Sequence, residues 1–159
     1  MPWFILLKLS DLMHSYAPAF VVEMPFNLAL LNQNAADEII DNYNYTNYYM
    51  SGHSLGGVVA SQYVNATNKT DGLILFASYP TSEIQKPVLS IYGSEDKVLN
   101  MDKYNESKPL MDNLTEIVIK GGNHAQIGDY GLQDGDGTAK ITPEKQQEKT
   151  VNEIIKFID

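Results

Sequence analysis

Residues 52–57 read Gly52-His53-Ser54-Leu55-Gly56-Gly57, a G-x-S-x-G spacing with an apolar run before it and a helical pattern after it. A strand that turns at once into a helix forces its corner residue into a strained backbone. Glycines at 52 and 56 keep side chains out of the crowded turn, and Ser54 is held out at the top of a sheet. The N–H of Leu55, first in the following helix, points into the same space, where it can stabilise an oxyanion with help from the helix dipole. The chemistry outlined is attack of a hydroxyl on an acyl carbon.

A serine hydroxyl needs a base, and the base needs an orienting carboxylate. Asp96 follows an apolar run through Gly93-Ser94-Glu95, and His124 follows another through Gly121-Gly122-Asn123. Both sit just past the carboxyl end of a predicted strand, where sites of open parallel sheets collect. Glu95 is the substitute acid. His53 reads as a packing or hydrogen-bonding neighbour rather than a base, since adjacent strand side chains point to opposite faces. His14 reads as a helix-end residue. Asp134 and Asp136 are spaced like the first ligands of a calcium loop, but Thr138, Ala139 and Lys145 occupy its later ligand and glycine positions. A solvated loop is the better reading there.

These residues need strands and helices to carry them. Short apolar runs predict strands over 19–24, 47–51, 72–77, 87–92 and 115–119, alternating with helices over 34–43, 55–66, 101–112 and 143–158. That alternation feeds a mostly parallel sheet covered on both faces. The last helix has the sharpest start, with Thr142 as N-cap and Pro143 at the first helical position. The opening stretch is ambiguous between a strand over 3–7 and a helix, and helix is favoured after Pro2.

The 159 residues suit one domain, 1–159. All 11 cations are lysines, set against 20 acidic residues, for a net charge of −9. Without guanidinium forks such a chain is a poor nucleic-acid partner. Cysteine is absent, which removes disulfides, zinc-thiolate sites and thiol nucleophiles. No apolar run approaches the ~20 residues of a membrane helix, and no cationic flank or cleavage site marks a signal peptide. The expected location is therefore cytoplasmic by default, with no membrane insertion.

The segments VEMPFN at 22–27, GHSLGG at 52–57, IYGSED at 91–96 and GGNHAQ at 121–126 resemble the α/β-hydrolases, specifically the small capless group related to dienelactone hydrolases. The likeness runs from about residue 9 to 158. It implies a three-layer α/β/α fold, a triad of Ser54, Asp96 and His124, an oxyanion donor at Leu55 N–H, no cofactor and no metal. It also implies hydrolysis of a small-molecule ester or related acyl bond. Dienelactone hydrolases proper carry a cysteine where this chain has Ser54.

Two departures from that family stand out. Aligning VEMPFN makes residues 3–14 the first helix, so the chain is expected to be N-terminally truncated, beginning after the strand that carries the second oxyanion donor. Residues 3–7 or a strand-exchanged homo-oligomer would fill the gap; otherwise the chain is a catalytically impaired remnant acting as a binding or assembly module. Only Ser78 to Lys86 join two of the strands, which leaves no room for a lid and predicts a shallow, open pocket.

Overall fold

The computed structural model describes residues 13, 16–20, 36–128 and 131–159. The expectations for the opening helix or strand, for His14 and for most of the strand at 19–24 lie outside them; Ala19 and Phe20 are in no regular element. The elements in order are α1 (Asp37–Asn42), β1 (Tyr49–His53), α2 (Leu55–Ala66), β2 (Gly72–Phe76), β3 (Val88–Gly93), α3 (Met101–Ser107), β4 (Leu114–Ile119) and α4 (Pro143–Ile158). One-turn 3₁₀ helices follow α3 at Lys108–Leu110 and β4 at Ala125–Ile127.

Among the described residues four strands form one parallel sheet in the order β1-β2-β3-β4. β2 is buried along its whole length, and its side chains alternate between two cores, as a period of two requires. Leu73 and Leu75 join Ala60 and Val64 of α2 on one face. Ile74 and Phe76 join Val151 and Ile154 of α4 on the other. This is the expected three-layer α/β/α arrangement.

Burial on both faces holds for β2 and most of β3. It does not hold for β4, where Val118 is 47% exposed, because β4 has a single strand neighbour among the described residues.

β2, β3 and β4 end within one residue of expectation; three elements differ further. β1 runs two residues later than the apolar run suggests, because its ladder pairs Gly52 with Leu75 and His53 with Phe76. The helix expected over 101–112 ends at Ser107 and tightens into a 3₁₀ turn. Pro109 explains this, since it has no N–H to donate to the next helical turn, although Lys108 itself keeps helical backbone at φ −55° and ψ −41°. Within the helix expected over 34–43, Ala36 and Tyr43 flank α1 as its caps rather than belonging to it, and residues 34 and 35 lie outside the described residues. α4 starts where its cap signal places it, with the Thr142 hydroxyl accepting from Lys145 N–H at 3.3 Å.

Candidate active site

Ser54 occupies the corner between β1 and α2 with φ 53° and ψ −123°, a left-handed backbone rare for any residue but glycine. Three hydrogen bonds hold it there. Its N–H donates to Phe76 O at 2.9 Å, and its carbonyl accepts from Gly57 N–H at 3.0 Å and from the Ser78 hydroxyl at 2.6 Å. Leu55 is the first residue of α2, so its N–H is among those that find no partner inside the helix.

The crowding at this turn falls only partly where the G-x-S-x-G spacing puts it. A Cβ on Gly52 would lie 2.2 Å from Gly56 O, and one on Gly57 would lie 2.5 Å from the Ser78 side chain, whereas Gly56 faces open space. Gly57, just outside the motif, is therefore the second obligatory glycine. Gly52→Ala is expected to cost about 2 kcal/mol or more, the scale of overpacking against backbone. Gly56→Ala should gain about 0.5–1 kcal/mol from helix propensity and unfolded-state entropy. Urea unfolding of the two variants checks both signs.

Asp96 and His124 meet at the ends of β3 and β4. Asp96 Oδ2 lies 2.8 Å from His124 Nδ1, and both side chains are 1% exposed. The other oxygen, Oδ1, accepts from Val98 and Leu99 N–H, each at 2.8 Å. Burial pushes the Asp96 carboxyl up, but the hydrogen bonds from His124, Leu99 and Val98 outweigh it and hold the group below its ordinary value. An ionised carboxylate only accepts, so Nδ1 of a neutral His124 carries the proton and Nε2 keeps its lone pair.

Nε2 is buried and makes no hydrogen bond among the described residues. Asp96 and His124 are thus brought together, while Ser54 and His124 share no hydrogen bond. Glu95 instead faces Ser94 and Lys140.

Because its folded value is depressed, Asp96 contributes stability that is complete above the ordinary aspartate range. That contribution drains away as pH falls through the lowered value. Asp37, Glu95 and Glu116 shift the same way. The protein should lose stability below about pH 4, and melting curves of Asp96→Asn should fall less steeply across that window than those of the parent.

His53 ends β1 with its ring 4.4 Å from that of His124. Burial, then repulsion from His124, pushes its imidazole down to about 3. It stays neutral across the physiological range and serves as a wall and backbone partner for His124.

The acid and base loops are stitched together. Glu95 N–H donates to Gly122 O at 2.8 Å, Ser94 N–H donates to Ile119 O at 3.0 Å, and the Ser94 hydroxyl accepts from Gly121 N–H at 2.9 Å. A Cβ on Gly93 would lie 2.2 Å from Gly122 O, so only glycine permits this approach. From α4, fully buried Gln146 accepts from Asn123 N–H at 3.0 Å and donates to Asn123 O at 2.7 Å.

Sequence reasoning missed this clamp. Its signal was there: Gln146 and Gln147 lie on the stripe continued by Thr150, Val151 and Ile154, and a glutamine on a buried face must be hydrogen-bonded. The solvated-loop reading also needs correction. Asp134 is exposed, but Asp136 is half-buried and accepts three backbone N–H groups.

A cavity of about 430 Å³ lies beside β1, lined by Ile39, Ile40, Met50, Phe76 and Ile154 among others. None of Ser54, Asp96 and His124 lines it. The link from β2 to β3 is short and carries one bridge, Ile84 to Met111. No cap is inserted between those two strands.

Residues 8–148 match the Alpha/beta hydrolase family, and the chain belongs to that family. Similar solved structures include a predicted CIB-like hydrolase from Thermoplasma acidophilum, at 16% identity and TM-score 0.58, covering 88% of this chain and 66% of that one. A putative yden-like hydrolase from Pectobacterium atrosepticum is 13% identical with TM-score 0.67, covering 93% and 80%. Est1E from Butyrivibrio proteoclasticus, bound to ferulic acid, is 16% identical with TM-score 0.56, covering 81% and 67%. The chain spans about two-thirds of the length of the first of these. Such identities carry the fold and nothing of the substrate. No curated protein matches this chain. Among the described residues no helix is long and apolar enough to cross a membrane.

Proposed function

We propose that the chain is a serine hydrolase acting on a small ester or related acyl bond. Ser54 attacks the carbonyl, His124 takes the proton and returns it to the leaving group, Asp96 holds the imidazole, and Leu55 N–H binds the oxyanion. The observation that carries this reading is the buried Asp96–His124 pair, which leaves Nε2 as an unoccupied acceptor in a loop beside the strained serine turn. Contacts between nucleophile and base commonly close only with substrate present, so the open Nε2 is compatible with the role.

The short β2–β3 link supports a small or exposed substrate rather than a lid-gated one. A fluorophosphonate probe followed by peptide mapping tests the assignment, with adduct expected on Ser54. A folded chain that refuses the probe would instead support the reading of an impaired remnant that binds or assembles without turnover.

A further inference from the structure

We infer that Asp136 is a positioning residue for the proposed reaction, a carboxylate that straps the Asp96 loop to the His124 loop; the inference rests on that reading of the site. Asp136 Oδ2 accepts from the N–H of Ala125, the residue after His124, at 2.9 Å. Its Oδ1 accepts from the N–H of Lys97, the residue after Asp96, at 3.3 Å, and from Gly137 N–H at 2.7 Å. One side chain thus grips the backbone one step beyond each member of the acid–base pair.

The next residue closes the same junction. A Cβ on Gly137 would fall 1.8 Å from Glu95 O, and Gly137 O accepts from the Asn123 side chain at 2.8 Å. Residues 136–137 therefore wedge between segment 94–97 and segment 121–125. The 2.8 Å contact between Asp96 and His124 depends on how these segments sit relative to each other, and each oxygen of Asp136 serves a different one.

An amide of the same shape cannot do this. With a single acceptor oxygen, asparagine satisfies one loop and turns its NH₂ toward the donor of the other. The charged groups around the strap are Glu95, paired with Lys140 at 3.0 Å, Lys97, and the Asp96–His124 pair with neutral His53 against it.

Asp136→Asn tests the proposal through the plateau kcat and KM for p-nitrophenyl acetate, the pH profile, and amide exchange. A misaligned pair should lower the plateau kcat by roughly tenfold to a hundredfold with KM within about twofold. The acid limb should move to lower pH, because a looser carboxylate stabilises the imidazolium less. Asp136→Glu keeps both oxygens and the charge and should retain more of the plateau; should the amide variant not fold, Asp136→Ser, whose single short hydroxyl cannot reach both loops, carries the test with the same readouts.

Exchange at Ala125 or Lys97 N–H should quicken by about tenfold or more, as expected for a lost hydrogen bond worth about 1.4 kcal/mol. This is read without substrate and so separately from the assignment of Ser54. A plateau kcat within about twofold of the parent, a shifted acid limb being then only a field effect, would overturn the proposal. Unchanged exchange at both amides would overturn it as well.

Discussion

Ser54→Ala is expected to reduce p-nitrophenyl acetate turnover by on the order of 10⁴-fold or more, the scale seen when a nucleophile acting as part of a unit is removed. The melting temperature should stay nearly unchanged. The three hydrogen bonds that hold residue 54 all use its backbone, on Phe76 O, Gly57 N–H and the Ser78 hydroxyl, and alanine keeps each of them. Ser54→Gly separates chemistry from folding in a second way. The backbone at φ 53° and ψ −123° costs a non-glycine residue about 1–3 kcal/mol, part of which is offset by the greater freedom of glycine in the unfolded chain. A net gain near 1 kcal/mol corresponds to roughly 2–4 °C in Tm. The glycine variant should therefore be inactive and melt higher than the parent, and its expected behaviour ties the strain to function rather than to folding. Wild-type turnover in either variant would remove Ser54 from the mechanism.

What the sequence made legible is what it encodes locally. The serine turn and the start of α4 can be read because G-x-S-x-G and Thr142-Pro143 each place their signal within a few residues of its effect. β1 is misplaced by two residues because Gly52 and His53 look like loop; only the ladder to β2 extends the strand over them. The loss of the last part of α3 has a local cause in Pro109, whereas the need for Gly57 depends on Ser78, 21 positions away. The choice of Asp96 over Glu95 also rests on distant partners. Both carboxylates follow the same strand, and Glu95 is drawn off by Lys140 while Val98 and Leu99 turn Asp96 toward His124. Gln146 and Asp136 bind loops 23 and 11 residues off, through contacts that no periodicity announces.

Asp96→Asn is expected to lower kcat by on the order of 10⁴-fold, and the reason lies in how the carboxylate is anchored. Oδ1 faces two donors, Val98 and Leu99 N–H. The asparagine oxygen must take that position, because turning the NH₂ group there would set donor against donor. The NH₂ is then left facing His124 Nδ1 where Oδ2 stood. A neutral imidazole can accept from it only with its own proton on Nε2, the tautomer that cannot take a proton from Ser54. The fold around the site should survive, since the glycine approach at Gly93, the Gln146 clamp and the Asp136 strap do not involve the substituted atoms. A large loss in kcat with little change in KM, in a protein that still melts cooperatively, is the expected pattern. Activity within about tenfold of the parent would mean that the buried pair orients nothing in the rate-limiting step, and that Glu95 or solvent supplies whatever His124 needs.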